Sequence, residues 1–416
     1  MASALGVVSL AIGLIVVTVV VVRNPHLASA LLTGFALRAA LAVVDDTVYR
    51  LPGQDDSFRF DHFAYYWARN GALGTLEYVS TGAELYTWVI SLFYAVFDRS
   101  RLMMQGVNVL FGTLVILNVA RLAETLAHSR RAAIRASWLV ALFPSLIYFS
   151  AVLLREVAVT YPLTLAILLF AQWQQQRRIL QMLGALIAVG ISMAFHSGMA
   201  AVLLIGGIWL VGRWLRQIAT GETKRLGRST LALVGGIGII GVVFSTGFGL
   251  DKFQQVASGD MVELARTQEN YATGRAVYLA DLHPETPVDL AWQTPIRLIY
   301  FLFAPFPWML RSTADAIGLI DSLLFLALFW QVWMGRSLLA SRRDALLVLA
   351  AFGALAVTFA IGVSNYGTAH RHRNKMLPIL VGAAVALHEM RRRPVGRRDT
   401  QSRHRRSDAG LARQDV

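Results

Sequence analysis

Runs of about twenty apolar residues recur along the whole chain, and they restrict its possible folds more than any other feature. Hydrophobic residues make up 56% of the 416 residues and charged residues 15%, whereas about a quarter of a soluble domain is charged. One helix needs about 20 apolar residues to cross a bilayer. We therefore predict an all-α, polytopic membrane protein with about eleven transmembrane helices in one domain, residues 1–390. The predicted spans are about 3–22, 26–44, 103–120, 136–153, 157–173, 179–195, 199–213, 230–248, 315–334, 345–363 and 376–390.

Acidic and basic residues are segregated along the chain. Fifteen of the 25 acidic residues fall in 45–98 and 251–289, and each of these stretches has only three Lys or Arg. Most basic residues lie in short gaps between apolar runs, or in the tail 391–416. Cytoplasmic loops carry such an excess of Lys and Arg. We therefore expect outer loops at 45–102 and 249–314, an outer N-terminus, and a disordered basic tail in the cytoplasm that touches anionic membrane lipid.

This topology holds only if two ambiguous apolar runs, 84–98 and 296–311, lie on or dip into the outer interface without crossing. The second run is broken by Pro305 and Pro307, which remove backbone donors. The net charge of +14 does not predict a nucleic-acid partner, because the basic residues are not gathered on a folded face beside aromatic residues. A chain without cysteine also has no thiol nucleophile, no Cys-ligated metal and no disulfide.

The first candidate site follows the second span. The pattern of apolar residues from Ser57 predicts a short amphipathic helix in the membrane interface, with Asp56 as its N-cap. Either Asp55 and Asp56 only cap this helix, or Asp56 (or Asp55) is a general base that takes a proton from an acceptor hydroxyl. Asp45, Asp46 and Asp61 are alternatives. Two close carboxylates could also bind a divalent cation.

A second group of candidates stands between later apolar runs. Arg155 and Glu156 form a charged pair close to the hydrocarbon, which is costly unless both charges are satisfied. They are either a structural clamp or a site pair, with Glu156 fixing a sugar hydroxyl and Arg155 a phosphate. His196 ends a span on the same face, where it either caps a helix or binds substrate. The nine histidines show no metal-ligand spacing such as HExxH.

The segment 365–375 has the highest density of polar candidates. Arg371, Arg373 and Lys375 violate the positive-inside bias if the segment is outside, and cations in such a place usually hold an anion. Charge-assisted bonds from the three side chains suit a phosphate. Tyr366 and His370 in the same segment are candidate substrate-binding residues.

No phosphate-binding loop of the type GxxxxGK[ST] occurs in the chain, so it is not expected to hydrolyse a nucleotide of its own. A site at the outer face has no access to nucleotide sugars. The donor should therefore be held in the membrane.

Residues 26–180 resemble the GT-C superfamily of polytopic glycosyltransferases, which use polyprenyl-phosphate-linked sugars and include aminoarabinose and protein-mannosyl transferases. In that superfamily an outer loop carries an acid, an aromatic residue four positions later and a small residue eight positions later, and Asp56, Phe60 and Ala64 have this spacing. The later parts of the pattern correspond to Leu92–Ser100, the span 103–120, Arg130 and Arg131, Ala141–Ser145, and Glu156 as a second outer acid. The chain departs from it by an Asp-Asp pair in place of Asp-Glu, by an extra first span and by the lack of a large C-terminal outer domain.

The resemblance implies a glycosyltransferase of the bacterial inner membrane. It would move a sugar from a polyprenyl-phosphate donor to a glycan or lipid-linked acceptor at the periplasmic face, in cell-envelope or exopolysaccharide synthesis. The C-terminal half, with its PFPW and NYGTAHRHR segments, looks equally like Wzy-type polysaccharide polymerases, which rely on outer arginines. A transporter of the lipid-linked precursor is a further alternative, and only Arg38 and Asp321 are charges within spans that could favour it.

Overall fold

A computed structural model describes residues 2–221 and 276–392, together with the isolated positions 230, 234, 235, 238 and 268. The predicted span 230–248, the loop from 249 to 275 and the tail from 393 lie outside this range, apart from those positions. The described residues are almost entirely helical. Their one β-bridge joins Val277 to Asn365.

The first half of the described chain contains eleven helices, here α1 to α11. They comprise Ala2–Arg23 (α1), Ala28–Thr47 (α2), Asp55–Ala68 (α3), Gly71–Gly74 (α4), Ala83–Phe97 (α5), Arg101–Ala127 (α6), Arg130–Leu142 (α7), Pro144–Ala151 (α8), Glu156–Gln176 (α9), Ile179–Phe195 (α10) and Ala200–Ala219 (α11).

The second half adds five helices. They comprise Pro287–Phe303 (α12), Thr313–Met334 (α13), Arg336–Leu339 (α14), Arg343–Gly362 (α15) and Tyr366–Arg391 (α16). Short 3₁₀ turns occupy Pro25–Leu27, Thr75–Tyr78, Ser197–Met199 and Pro307–Met309.

Seven helices in the described ranges are long and apolar enough to cross a membrane, or eight if the bent pair α7 and α8 forms one span. The all-α, multi-pass class is therefore confirmed, but the predicted count of eleven is not. Three of the predicted spans explain the difference. The first, 179–195, is the helix α10, whose 17 residues make it shorter than the other spans. The second, 376–390, belongs to α16, whose first turns carry Arg371, Arg373 and Lys375. The third, 230–248, lies outside the described residues apart from isolated positions.

The helix ends meet at two opposite faces. At one of them, here the carboxylate face, α2 ends, α3 lies, and α6, α9 and α16 begin. Contacts join these ends: Asn108 Nδ2 of α6 donates to the carbonyls of Val152 and Leu154 before α9, at 2.9 and 3.0 Å, and the backbone N–H of Gly82 donates to the carbonyl of Ala194 near the end of α10. The sequence predicts that the loop 45–102, the Arg155–Glu156 turn and the start of α16 lie on one face, and these contacts show that they do.

The opposite face, here the basic face, holds arginines from several helix ends. Arg135 pairs with Glu389 at 2.5 Å, Arg121 donates to Asn24 at 3.3 Å, and Arg342 donates to the carbonyl of Leu126. The charges that are segregated along the sequence are thus segregated in space.

α6 lies at the centre of the bundle and is buried over most of its length by α1, α2, α7, α9 and α16. Small residues allow the close approaches. A side chain at Gly112 would collide with Ser150 of α8, and one at Gly382 of α16 would collide with Leu122. Glycine at such contacts is typical of helix packing in membranes, where van der Waals contact drives association.

The predicted span 136–153 is broken at Phe143 and Pro144, where α7 and α8 meet at 60°. The break leaves carbonyls at the end of α7 without helical partners. The fully buried Arg38 of α2 satisfies two of them, donating to Val140 at 3.0 Å and Ala141 at 3.2 Å. A cation at a helix C-terminus also suits the helix dipole. Arg38 therefore has a structural partner, which explains its position inside a span.

α12 enters the bundle from the carboxylate face and ends at Ala304, beside Ser322 of α13 and Arg373 of α16. Arg373 Nη1 donates to the carbonyl of Leu302 at 2.7 Å and to Ser322 Oγ at 3.1 Å, and its Nη2 donates to the carbonyl of Ala304 at 2.8 Å. Both Ser322 and Arg373 lie less than ten residues from the carboxylate-face ends of their helices. The end of α12 therefore stays in the half of the bundle nearest the carboxylate face, and Arg373 holds it there.

Replacing Arg373 with Ala should destabilise the fold, because it removes four hydrogen bonds from a buried charged donor and leaves buried carbonyls unsatisfied. We expect a loss of about 3 kcal/mol. Thermal unfolding in detergent, followed by tryptophan fluorescence, would measure it against Arg130→Ala, which removes an exposed arginine at the basic face. Equal melting temperatures for the two variants would contradict this role.

Candidate active site at the carboxylate face

One guanidinium joins the two acids that the sequence singled out. Arg371 of α16 donates from Nη1 to Asp56 Oδ2 at 2.6 Å and from Nε to Glu156 Oε1 at 2.9 Å. Its Nη2 also lies 2.9 Å from Glu156 Oε1. The three residues come from α3, α9 and α16, so the structure brings together segments that are 315 and 215 positions apart.

The two carboxylates have different environments. The side chain of Glu156 is fully buried, whereas that of Asp56 is 42% exposed and that of Arg371 26% exposed. Glu156 therefore anchors the guanidinium from inside, and Asp56 lies at the rim where a substrate can arrive. The second oxygen of Glu156, Oε2, has no hydrogen-bond partner in the described part of the chain.

Arg371 stays positively charged in this position. Burial alone would lower the pKa of its guanidinium, but the negative charges of Glu156 and Asp56 outweigh that effect and raise the pKa above its ordinary value. The cluster therefore contains a permanent cation held between two acceptors.

The helical period of α16 decides which of the predicted cations reach this cluster. Arg371 and Lys375 are four residues apart and share a face, and Lys375 Nζ lies 3.9 Å from Glu156 Oε1. Arg373 points the other way, toward the end of α12. Of the three predicted phosphate-binding residues, Arg371 and Lys375 therefore reach Glu156, whereas Arg373 bonds to the end of α12. Phosphate binding by these residues stays a prediction. Asn365 sets the start of α16 by accepting from the N–H groups of Gly367 and Thr368.

α3 begins earlier than predicted, at Asp55, and Gln54 rather than Asp56 is its N-cap residue. Asp55 and Asp56 both lie in the first turn, where acidic residues favour the helix dipole. Asp55 is exposed, whereas Asp56 reaches Arg371. The geometry therefore distinguishes the two acids that the sequence left as alternatives.

A buried polar network holds the start of α3 in place. Asp45 at the end of α2 accepts from the backbone N–H of Leu51 at 2.9 Å and from Gln54 Nε2 at 2.5 Å. Its other oxygen accepts from Gln105 at 2.7 Å and from Arg101 at 3.2 Å. Asp45 was an alternative general base; its many partners show that it positions the chain just before Asp56.

Arg155 and His196 lie near the cluster, with structural contacts of their own. Arg155 precedes Glu156 and donates to the carbonyl of Phe195 at 3.2 Å. His196 accepts from the N–H of Gly198 through Nδ1 at 3.2 Å. The ring of His196 lies 5.2 Å from that of His372, and Lys375 Nζ is 3.1 Å from His372 Nδ1.

The remaining predicted site residues have partners away from Arg371. Asp61 accepts from Tyr94 at 2.7 Å and pairs with Arg99 at 2.5 Å, which ties α3 to α5. Tyr366 donates to Asp315 at 3.0 Å.

His370 lies 3.1 Å from Asp321 and accepts from Arg373. The structure thus does not bring Asp61, Tyr366 or His370 to the cluster. Asp321, the second charged residue within a predicted span, has His370 as its partner.

Two residues near the site were not recognised from the sequence. Tyr148 of α8 donates its hydroxyl to the carbonyl of Pro52, so it fastens the loop before α3. His372 stacks on Phe359 at 4.4 Å beside Lys375. Both side chains act through tertiary contacts that the sequence does not reveal, although Tyr148 lies only seven positions before the charged pair Arg155–Glu156.

The cluster does not fit a divalent cation as it stands. Arg371 lies between Asp56 and Glu156 and bonds to both. In the described ranges no group of three or more His, Asp or Glu side chains is placed to hold a metal. A cation would have to displace the guanidinium, whereas an anion could bind to it.

Two comparisons find known proteins that are similar to parts of this chain. Residues 83–243 match the family described as dolichyl-phosphate-mannose-protein mannosyltransferase. No curated protein sequence matches the chain. Among solved structures, the apo oligosaccharyltransferase of Archaeoglobus fulgidus is similar to 86% of this chain at 12% identity, with a TM-score of 0.44. The alignment spans only 50% of that protein's length. The family match confirms the predicted resemblance of this chain to the GT-C superfamily of polytopic membrane glycosyltransferases.

Proposed function

We propose that the chain transfers a sugar from a polyprenyl-phosphate-linked donor to an acceptor hydroxyl at the periplasmic face of a bacterial inner membrane. The observation that carries this proposal is the bonding of Arg371 to both Asp56 and Glu156. It joins a rim carboxylate that can accept a proton and a cation that can hold a phosphate, at the end of a membrane bundle. Cell-envelope or exopolysaccharide synthesis is the process in which such a reaction would serve.

In the proposed reaction, the acceptor oxygen attacks the anomeric carbon of the donor sugar, and its proton passes to Asp56. The bond between that carbon and the phosphate oxygen breaks, and its electron pair leaves with the phosphate. Arg371 stabilises the negative charge that develops on the phosphate, which is the type of interaction that contributes most to catalysis. Lys375 adds a second positive charge on the same helix face.

Glu156 keeps Arg371 in place while the phosphate binds. Its Oε1 atom accepts from two nitrogens of the guanidinium, so Nη1, which reaches the exposed Asp56, is the group free to exchange its partner. A donor phosphate that takes over this bond also releases Asp56 to accept a proton. Glu156 Oε2 is available for a hydroxyl of the acceptor or of the donor sugar.

The position of the cluster supports a donor that arrives through the membrane. It lies where α3 and α9 begin, next to helices with apolar surfaces. In the proposed site the guanidinium supplies the positive charge that a divalent cation would otherwise provide. A cation between Asp56 and Glu156 is the alternative, and it requires Arg371 to move away.

Asp56→Asn should lower the rate of transfer by about 10² to 10⁴, because an amide cannot accept the acceptor's proton. Transfer of a radiolabelled lipid-linked sugar by purified protein would measure the rate. Asp55→Asn is the matched control, since it makes the same change at the exposed neighbour and should keep near-normal activity. Activity lost in Asp55→Asn but kept in Asp56→Asn would reverse the assignment.

Arg371→Ala should reduce turnover by about 10² to 10³, since it removes the cation beside the departing phosphate. Donor titrations should also show weaker binding of the lipid phosphate, with little change in the KM for the acceptor. Arg69→Ala removes an exposed arginine from the end of α3 on the same face and should behave as wild type. Unchanged donor kinetics in Arg371→Ala would exclude a phosphate role for this residue.

Single cysteines in this cysteine-free chain would test the proposed orientation. Ser80 and Ser341 are exposed, and they lie at the carboxylate and basic faces respectively. With an impermeant thiol reagent on intact cells, Ser80→Cys should be labelled, and Ser341→Cys only after lysis. The reverse labelling pattern would place the carboxylate face on the cytoplasmic side and would contradict the proposed periplasmic reaction.

A further inference from the structure

A cavity rich in arginine opens at the basic face, far from the proposed active site. It has a volume of about 660 Å³ and lies between the end of α9, the second half of α11 and the start of α15. Arg177, Arg213, Arg216 and Arg343 line it, and the described lining residues include no carboxylate. Such a cavity attracts an anion.

Two tryptophans indicate the depth of this cavity in the membrane. Arg177 lies over the ring of Trp173 at 5.2 Å, and Arg213 over that of Trp209 at 5.5 Å. Tryptophan is enriched at the boundary between hydrocarbon and headgroups. The arginines are therefore at the level of the lipid headgroups.

An apolar groove continues from the cavity along the same helices. It has a volume of about 290 Å³, is lined by α9, α10, α11 and α15, and shares Leu347 with the arginine cavity. Gly206 and Gly207 of α11 line it, and a Cβ atom added at either would meet no atom of the described residues within 4 Å. A charged pocket that leads into an apolar groove has the shape of a site for an amphiphile.

We propose that this cavity and groove bind an anionic phospholipid, with its phosphate beside Arg216 and Arg343 and an acyl chain in the groove. The occupant is not the sugar donor. α9 has 21 residues, so at 1.5 Å per residue its basic end is roughly 30 Å from Glu156. A lipid held here cannot present a sugar to Asp56. The proposal does not depend on the proposed reaction.

Native mass spectrometry of the full chain, with equal amounts of dioleoyl phosphatidylglycerol and dioleoyl phosphatidylcholine, would test it. Wild type should retain phosphatidylglycerol at least about tenfold better. Arg216→Gln with Arg343→Gln removes two exposed charges and should weaken phosphatidylglycerol binding about 30-fold, at about fivefold for each arginine near a headgroup. Arg130→Gln with Arg131→Gln is the matched control, because it removes two exposed arginines of the same face outside the cavity.

Gly207→Leu tests the groove separately, because Gly207 lines it and a Cβ atom added there meets no described atom within 4 Å. It should weaken dioleoyl phosphatidylglycerol binding severalfold while the arginines stay in place. Four results would overturn the proposal: equal retention of the two lipids, equal losses in the cavity and control variants, full displacement of the lipid by inorganic phosphate, or no effect of Gly207→Leu. Full displacement by inorganic phosphate would indicate a site for free anions. No effect of Gly207→Leu would indicate that the lipid's acyl chain does not lie in the groove.

Discussion

The buried carboxylate of Glu156 is the constraint on which the carboxylate face depends. An ionised acid with no exposed surface next to hydrocarbon is costly unless a cation neutralises it. Arg371 meets this need and at the same time reaches Asp56, so three distant parts of the chain must meet. The other contacts of this face support that meeting: Asp45 fixes the chain before α3, Asn108 holds the turn before α9, and Asn365 starts α16.

Three arginines of this bundle, Arg38, Arg371 and Arg373, differ in what they bind, and the difference separates two structural positions from a candidate functional one. Arg38 and Arg373 donate to backbone carbonyls at helix ends, where losing the bond would leave the backbone unsatisfied. Arg371 donates to carboxylate side chains, one of them at the exposed rim. A phosphate can replace a rim carboxylate without disturbing the backbone. Of the three, Arg371 is therefore the one suited to exchange its partner for a substrate.

Much of this arrangement could be predicted, because charge and hydropathy fix which segments cross and where the loops gather. The topology predicted from the apolar runs and the positive-inside bias has Asp56, Glu156 and Arg371 on one face. Helix phase separates Arg373 from Arg371 and could have been read from their spacing of two residues. The pairing of Asp61 with Arg99 and of Tyr366 with Asp315 could not be predicted from the sequence, since it depends on how separate segments pack. The bond from Arg38 to the carbonyl of Ala141, beside the bend at Pro144, likewise joins residues more than a hundred positions apart.

The two proposed sites use positive charge in opposite ways. At the carboxylate face the cation is already paired, so an arriving anion must compete with Asp56, and binding is linked to the release of a base. In the proposed lipid site at the basic face, Arg216 and Arg343 line a cavity without described carboxylates, so an anionic lipid has no described carboxylate of the lining to displace. An arginine that exchanges a carboxylate for a phosphate suits a substrate that must leave after reaction. Arginines that attract a phosphate without such an exchange suit a lipid that stays bound. In the two proposals, arginine therefore supports turnover at one face and retention of a lipid at the other.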